Sequence, residues 1–175
     1  RFNNCRREFY GIDKAIDLGE IINTDSIITT KTYRITILFS ENIDNISSIE
    51  YKKRTINSLK FVECPADFDY SHKYADRSEI EKLLLLKEAC DDIIILKNNL
   101  ITDISFANIV FYDGSKYFTP ALPLLEGTKR QKLIEEKTLS EAEISIRDIN
   151  LFKHCGIINA MLEIEDYKIE IRNIF

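Results

Sequence analysis

The chain has 175 residues, of which 45% are hydrophobic and 30% charged, so it can bury a real core and has the balance of an ordinary globular protein. Its formal net charge is −5 with Lys and Arg spread along the sequence, which argues against a nucleic-acid or membrane surface as partner. No apolar run approaches the roughly 20 residues needed to span a bilayer. The four cysteines are too scattered for a zinc motif and read as reduced thiols of a cytoplasmic protein.

In chain order, the sequence opens on Arg1 rather than Met, so its natural start is expected upstream. Residues 2–10 read as a helix with Phe2, Cys5, Phe9 and Tyr10 on one side. A second short helix is expected over 18–22, and the polar, β-branched stretch 24–32 reads as a loop. Strand-like runs at 33–40, 46–54 and 56–64 are spaced like a meander. Residues 1–66 therefore read as a small N-terminal α+β domain. The stretch PADFDY, 65–70, reads as a linker to a larger C-terminal domain over 67–175.

Ser78 can cap an amphipathic helix over 78–90. Residues 91–130 pack four strand-like runs broken by Asn98-Asn99, Asp113-Gly114 and Thr119-Pro120. Asp113-Gly114 between two aromatic runs is a hairpin signal. Gly127 then opens the helical run GTKRQKLIEEK. Further strands are expected at 139–146, 156–161 and 167–171, with Asp148 capping a short helix through 152.

Four positions could carry chemistry. Lys73, between Tyr70 and Tyr74, is either a loop lysine or one desolvated enough to form a Schiff base. Asp103, in the apolar strand ITDISFANIVF, either faces water from an edge or points inward and needs a cationic or hydrogen-bonding partner. Gly127 either punctuates a helix or leaves its first amides free for an anion. Asn159, in GIINAM, either satisfies buried backbone or meets a ligand. His72 and His154 have no partner at metal-ligand spacing. An inward carboxylate followed by a glycine-led helix suits a ligand with a cationic ring at one end and a phosphate at the other, as pyridoxal 5'-phosphate has, and that cofactor also needs a lysine.

These residues together resemble the class IV aminotransferases, the fold type IV pyridoxal-phosphate enzymes that include branched-chain and D-amino-acid aminotransferases and 4-amino-4-deoxychorismate lyase. KYADR, with Lys73 and Arg77, looks like the family's lysine segment, and its K-x-x-x-R form is closest to the lyase branch. Asp103 and Asn108 stand at the acid and asparagine of the strand E-x-x-x-x-N-[IL]-F, although the family usually has Glu at the first position. Thr119-Pro120 followed by LLEGTKR resembles the phosphate-binding turn, Asn159 the polar residue of the late strand, and Arg1 an arginine that contacts the phosphate. The spacing of 30 residues from Lys73 to Asp103 and 24 from Asp103 to Gly127 is similar to the family's.

The resemblance implies an α+β, two-domain fold like that of D-amino-acid aminotransferase, with a mixed pseudo-barrel as the larger domain. It implies a homodimer that holds pyridoxal 5'-phosphate and acts on a small amino substrate. Lys73 and Asp103 would be catalytic. Arg1, Lys73, Arg77, Asp103, Gly127, Thr128, Lys129 and Asn159 would bind the cofactor. The reaction would be that of aminodeoxychorismate lyase, with an amino-acid aminotransferase or a non-catalytic relative as alternatives.

Overall fold

The structure, a computed structural model, describes residues 1–22 and 30–175. The loop expected at 24–32 falls largely outside the described residues. Two compact units divide at Arg54/Thr55.

The first unit opens with α1 (Phe2–Tyr10), ended by Gly11 in the left-handed conformation. The side of α1 expected to carry its apolar residues is not buried as such. Phe9 is 51% exposed, whereas Arg6 is buried, donates to the Lys14 carbonyl and lies over the Phe2 ring. The short helix α2 (Leu18–Ile21) follows, capped by Asp17. Strands β1 (Tyr33–Phe39) and β2 (Ile43–Glu50) form an antiparallel hairpin turned at 41–42.

The third strand of the expected meander does not join that hairpin. β3 (Leu59–Glu63) pairs in parallel with β4 (Asp92–Lys97) in the large sheet of the second unit. PADFDY is not a linker between units either, because Phe68 and Tyr70 are buried in one apolar cluster with Val62, Ile80, Ile93, Ile95 and Leu124. The division therefore falls before β3 rather than after residue 66.

From β4 the chain turns at Asn98-Asn99, both in the left-handed region, into β5 (Leu100–Ile104). A two-residue turn leads to β6 (Ala107–Tyr112), and Asp113-Gly114 then turns it into β7 (Tyr117–Pro120). Thr119-Pro120, expected as a break, lies inside β7, with Thr119 fully buried and its hydroxyl donating to the Ile109 carbonyl. Helix α4 (Thr128–Glu135) crosses to β8 (Leu139–Ala142), which runs parallel to β7. β9 (His154–Ile158) pairs with the far edge of β6, and β10 (Ile169–Glu170) with β9.

The sheet order is β10-β9-β6-β5-β4-β3, with β7 and β8 branching from β6. The branch closes on itself where Ile101 N donates to the Ile144 carbonyl and Leu100 bridges Ser145. The long path closes where Phe175 exchanges backbone bonds with Leu59 and Phe61 of β3. These two closures make the mixed pseudo-barrel, and its interior is packed with apolar side chains. Phe111, Ile109, Ile144, Ile157 and Ile158 are almost fully buried.

Two helical expectations change. Helix α3 (Ser78–Leu84) stops early and tightens to a 3-10 turn over Leu85–Lys87, and Leu85 is 82% exposed. The apolar stripe thus ends a turn sooner than the sequence suggests, because Glu88 takes a positive φ and redirects the chain into β4. The 3-10 segment Ile146–Leu151 is capped by Ser145 in a capping box, with Asp148 as its third-residue partner rather than as the cap.

Gly156 of β9 lies against Val110 and the carbonyls of Ile164 and Tyr167, all 3.0–3.3 Å from where a Cβ would stand. Gly156→Ala is expected to lower unfolding stability by about 1–3 kcal/mol through overpacking. Urea denaturation of the two proteins measures the difference.

Candidate active site

The site grows from the end of the β5–β6 hairpin. Asp103 and Asn108 are directly opposed across it, so both side chains leave the same face of the sheet. Asn108 Nδ2 donates to Asp103 Oδ1 at 2.6 Å and to the Leu125 carbonyl at 2.9 Å. The Leu125 amide donates to Asp103 Oδ2 at 2.9 Å. This pair therefore holds the segment just ahead of α4. Asp103 is 5% exposed, so of the two readings of the sequence the inward-pointing one is correct. Burial pushes its carboxyl up to about 6, while the Leu125 amide, the Asn108 amide and the Arg130 charge draw it back towards the ionised form.

Gly127 meets this pair from the other side. A Cβ at Gly127 would stand 2.0 Å from Asn108 Oδ1, so only glycine fits while Asn108 keeps its bonds. Gly127 is the N-cap of α4 and provides no side-chain cap. The amides of Thr128 and Lys129 therefore begin the helix with no acceptor from its own turn. Lys129 extends its ammonium to Glu163. Arg130, 4% exposed, donates through Nη2 to the Pro120 carbonyl and to Glu141, and its Nε is buried without a hydrogen-bond partner.

Asn159 follows β9, one residue past Ile158, which pairs with Asn108. Its Oδ1 accepts from the Met161 amide in a tight turn, and that turn leads to Glu163, the partner of Lys129. Asp103, Asn108, Gly127, Thr128, Lys129 and Asn159 are thus gathered at one end of the pseudo-barrel.

The lysine segment differs from its expectation. Lys73 is exposed rather than desolvated. Its loop is braced by Asp69, which accepts from Ser71 N and from the Tyr74 hydroxyl, so the neighbouring aromatics fold back on the loop instead of burying the lysine. Arg77, at the N-cap of α3, donates to the Tyr70 hydroxyl and to the Ser105 carbonyl. Arg1 belongs to the first unit, where it opens α1.

Sequence reasoning passed over Ser105, Asp92 and Arg130. Asp92 had a weak signal, as the second acid before the apolar run IIIL, and Arg130 was visible only as the end of GTKR. Among the described residues no group of His, Cys, Asp or Glu is placed to hold a metal, and no helix is long and apolar enough to cross a membrane.

The comparison that decides the family is a match of residues 25–166 to the model of amino-transferase class IV. The chain belongs to the class IV aminotransferases. This class IV aminotransferase is 37% identical over 163 residues to an uncharacterised Haemophilus influenzae protein, covering 92% of the chain and 86% of that relative. It is similar to the crystal structure of a provisionally assigned 4-amino-4-deoxychorismate lyase from Haemophilus somnus, with TM-score 0.83 and 31% identity over 91% of this chain and 84% of that one. It shares its fold with a hypothetical aminotransferase from Mycobacterium tuberculosis solved in its PLP-bound form, with TM-score 0.53 and 17% identity over 67% of this chain and 47% of that one. The α+β, fold type IV expectation and membership of an enzyme family are borne out.

Because its carboxyl is raised in the fold, Asp103 favours folding most below the ordinary aspartate value near 4, and that contribution is lost as pH rises through about 6. The stability of wild type minus that of Asp103→Asn is therefore expected to fall by roughly 2–3 kcal/mol between about pH 4 and pH 7. Denaturant unfolding of both proteins without cofactor at each pH checks it; a difference flat with pH would show Asp103 ionised like an exposed acid.

Proposed function

We propose that this class IV aminotransferase is a pyridoxal-phosphate enzyme acting on an amino acid or amino-chorismate-type substrate, with chemistry like that of 4-amino-4-deoxychorismate lyase. The observation that carries the reading is the buried Asp103 carboxylate joined through Asn108 and Leu125 to the glycine-led start of α4.

The residues present fit the cofactor on three counts. Gly127 has no room for a side chain beside Asn108, so the start of α4 is held against the Asp103–Asn108 pair. The first amides of α4, where the helix dipole is positive, suit a phosphate. Asp103 accepts from the Asn108 side chain and the Leu125 amide, and a carboxylate has lone pairs enough to accept a ring N–H as well. The M. tuberculosis structure that shares this fold carries PLP, which supports the same assignment.

When bound, pyridoxal phosphate supplies an aldehyde that condenses with amines and a ring that takes up electron density from the substrate's Cα. Thr128 and Lys129 hold the phosphate through their amides. The Asn159 side-chain amide, whose oxygen is engaged by Met161, offers its N–H groups to the same anion. Asp103 accepts a hydrogen bond from the ring nitrogen and keeps a proton on it, because opposite charges in a poorly solvated site stabilise each other. Lys73 is the attachment lysine, and its Nζ moves the Cα proton. The lyase reading over the aminotransferase one rests on the K-x-x-x-R form of KYADR and on the likeness to the H. somnus protein. As in the family, the working form is proposed to be a homodimer.

Borohydride reduction of protein incubated with pyridoxal phosphate, followed by peptide mass analysis, tests the reading. The cofactor mass is expected on Lys73 and is expected to vanish in Lys73→Ala. Label at the wild-type level in that variant would remove Lys73 and the reading with it.

Gly127→Val should drive Asn108 out of its bonds to Asp103 and Leu125 and crowd the start of α4. A loss of at least about tenfold in cofactor affinity, roughly 1.4 kcal/mol, is expected in a spectrophotometric titration. Unchanged affinity would place the phosphate elsewhere.

A further inference from the structure

Ser105 joins three segments that are distant in sequence. It stands in the turn between β5 and β6, next but one to Asp103. Its amide and its hydroxyl both donate to the Asp92 carboxylate, at 3.3 and 2.9 Å, and its carbonyl accepts from Arg77 Nη2 at 2.7 Å. Amide, hydroxyl and carbonyl are all engaged. Asp92 is 1% exposed and also accepts from the Ile93 amide at 2.8 Å. A carboxylate so buried is costly unless hydrogen-bonded, and here its bonds hold one hairpin turn.

The same guanidinium reaches the other way. Arg77 Nη1 donates to the Tyr70 hydroxyl at 3.3 Å. Tyr70 and Arg77 flank the loop that carries Lys73, so one side chain ties both ends of that loop to the turn that follows β5, the strand of Asp103. The bond from the charged Arg77 to a carbonyl is of the strong, charge-assisted kind.

We propose that Asp92, Ser105 and Arg77 form a clamp that sets the Lys73 loop in register with Asp103; this rests on the pyridoxal-phosphate reading above. Arg77 is then a positioning residue rather than a cofactor ligand, and Asp92 and Ser105 are positioning residues that act through it. A small misplacement between a reacting amine and its partner costs heavily in rate, so a loop tethered at both ends gives speed to a lysine that is otherwise exposed.

Two probes separate positioning from folding and from cofactor binding. The rate at which pyridoxal phosphate is trapped on Lys73 by borohydride depends on where the loop stands. The affinity for pyridoxamine 5'-phosphate, which has an amine in place of the aldehyde and does not condense with lysine, depends on the groups that hold ring and phosphate, Asp103, the start of α4 and Asn159, and not on where Lys73 stands. Ser105→Ala is expected to slow trapping about tenfold with pyridoxamine-phosphate affinity within about twofold of wild type. Ser105→Thr, which keeps the hydroxyl, is expected to restore most of the rate. Arg77→Lys, at a half-buried position, keeps the charge but cannot span both acceptors, and is expected to slow trapping several-fold. Wild-type trapping rates in both Ser105→Ala and Arg77→Lys would overturn the clamp and leave the cofactor reading standing. Equal losses on both probes would also overturn it, by reducing the network to a general support of the fold. Absence of trapping on Lys73 in the wild type would remove the cofactor reading, and the clamp with it.

Discussion

The structure of the candidate site depends on one buried carboxylate. Asp103 is denied water, and its oxygens are answered by the Asn108 side chain and the Leu125 amide. An ionised group in such a place is tolerated only because it is hydrogen-bonded, and the groups that answer it are thereby fixed. Those groups belong to the opposite strand of the hairpin and to the segment that delivers the chain into α4. One acid thus determines where a helix starts, and the close approach of Gly127 to Asn108 follows from it.

The sheet around this acid is what makes its position repeatable. β6 pairs with β5 and then β7 along one edge and with β9 along the other, so the strand carrying Asn108 is anchored on both sides. The closures through Ile144 and through Phe175 leave the hairpin few ways to shift register. A shift of one residue would turn Asp103 to the opposite face and bring Ile104 in its place. Cys155, on the neighbouring β9, is fully buried, and burial pushes its thiol up to about 12.

Much of this was legible in the sequence, for identifiable reasons. Asn98-Asn99 and Asp113-Gly114 have strong turn chemistry, and both turns formed where expected. The glycine-led helix start and the inward acid were visible because each interrupts a pattern. What failed was decided by pairing between distant segments. Nothing local distinguishes the run containing β3 from a third meander strand; its partner β4 lies some thirty residues on. PADFDY has the composition of a linker, yet Phe68 and Tyr70 find core neighbours from α3 and β4. The exposure of Lys73 and the engagement of Ser105 were equally hidden, since each depends on which carboxylates, Asp69 and Asp92, come to stand beside the turns.

The bonds of Asp103 also bear on how its family could vary at this position. The motif that this strand resembles has glutamate where this chain has aspartate. Here a longer side chain would have to fit one more methylene between a strand that is paired on both sides and an amide that is already in contact. Glutamate would therefore not be a conservative replacement for Asp103 in this chain. The length of the acid and the path of the 121–127 segment form one inherited variable. A lineage, or a designer, that altered the first would have to re-cut the second in the same step.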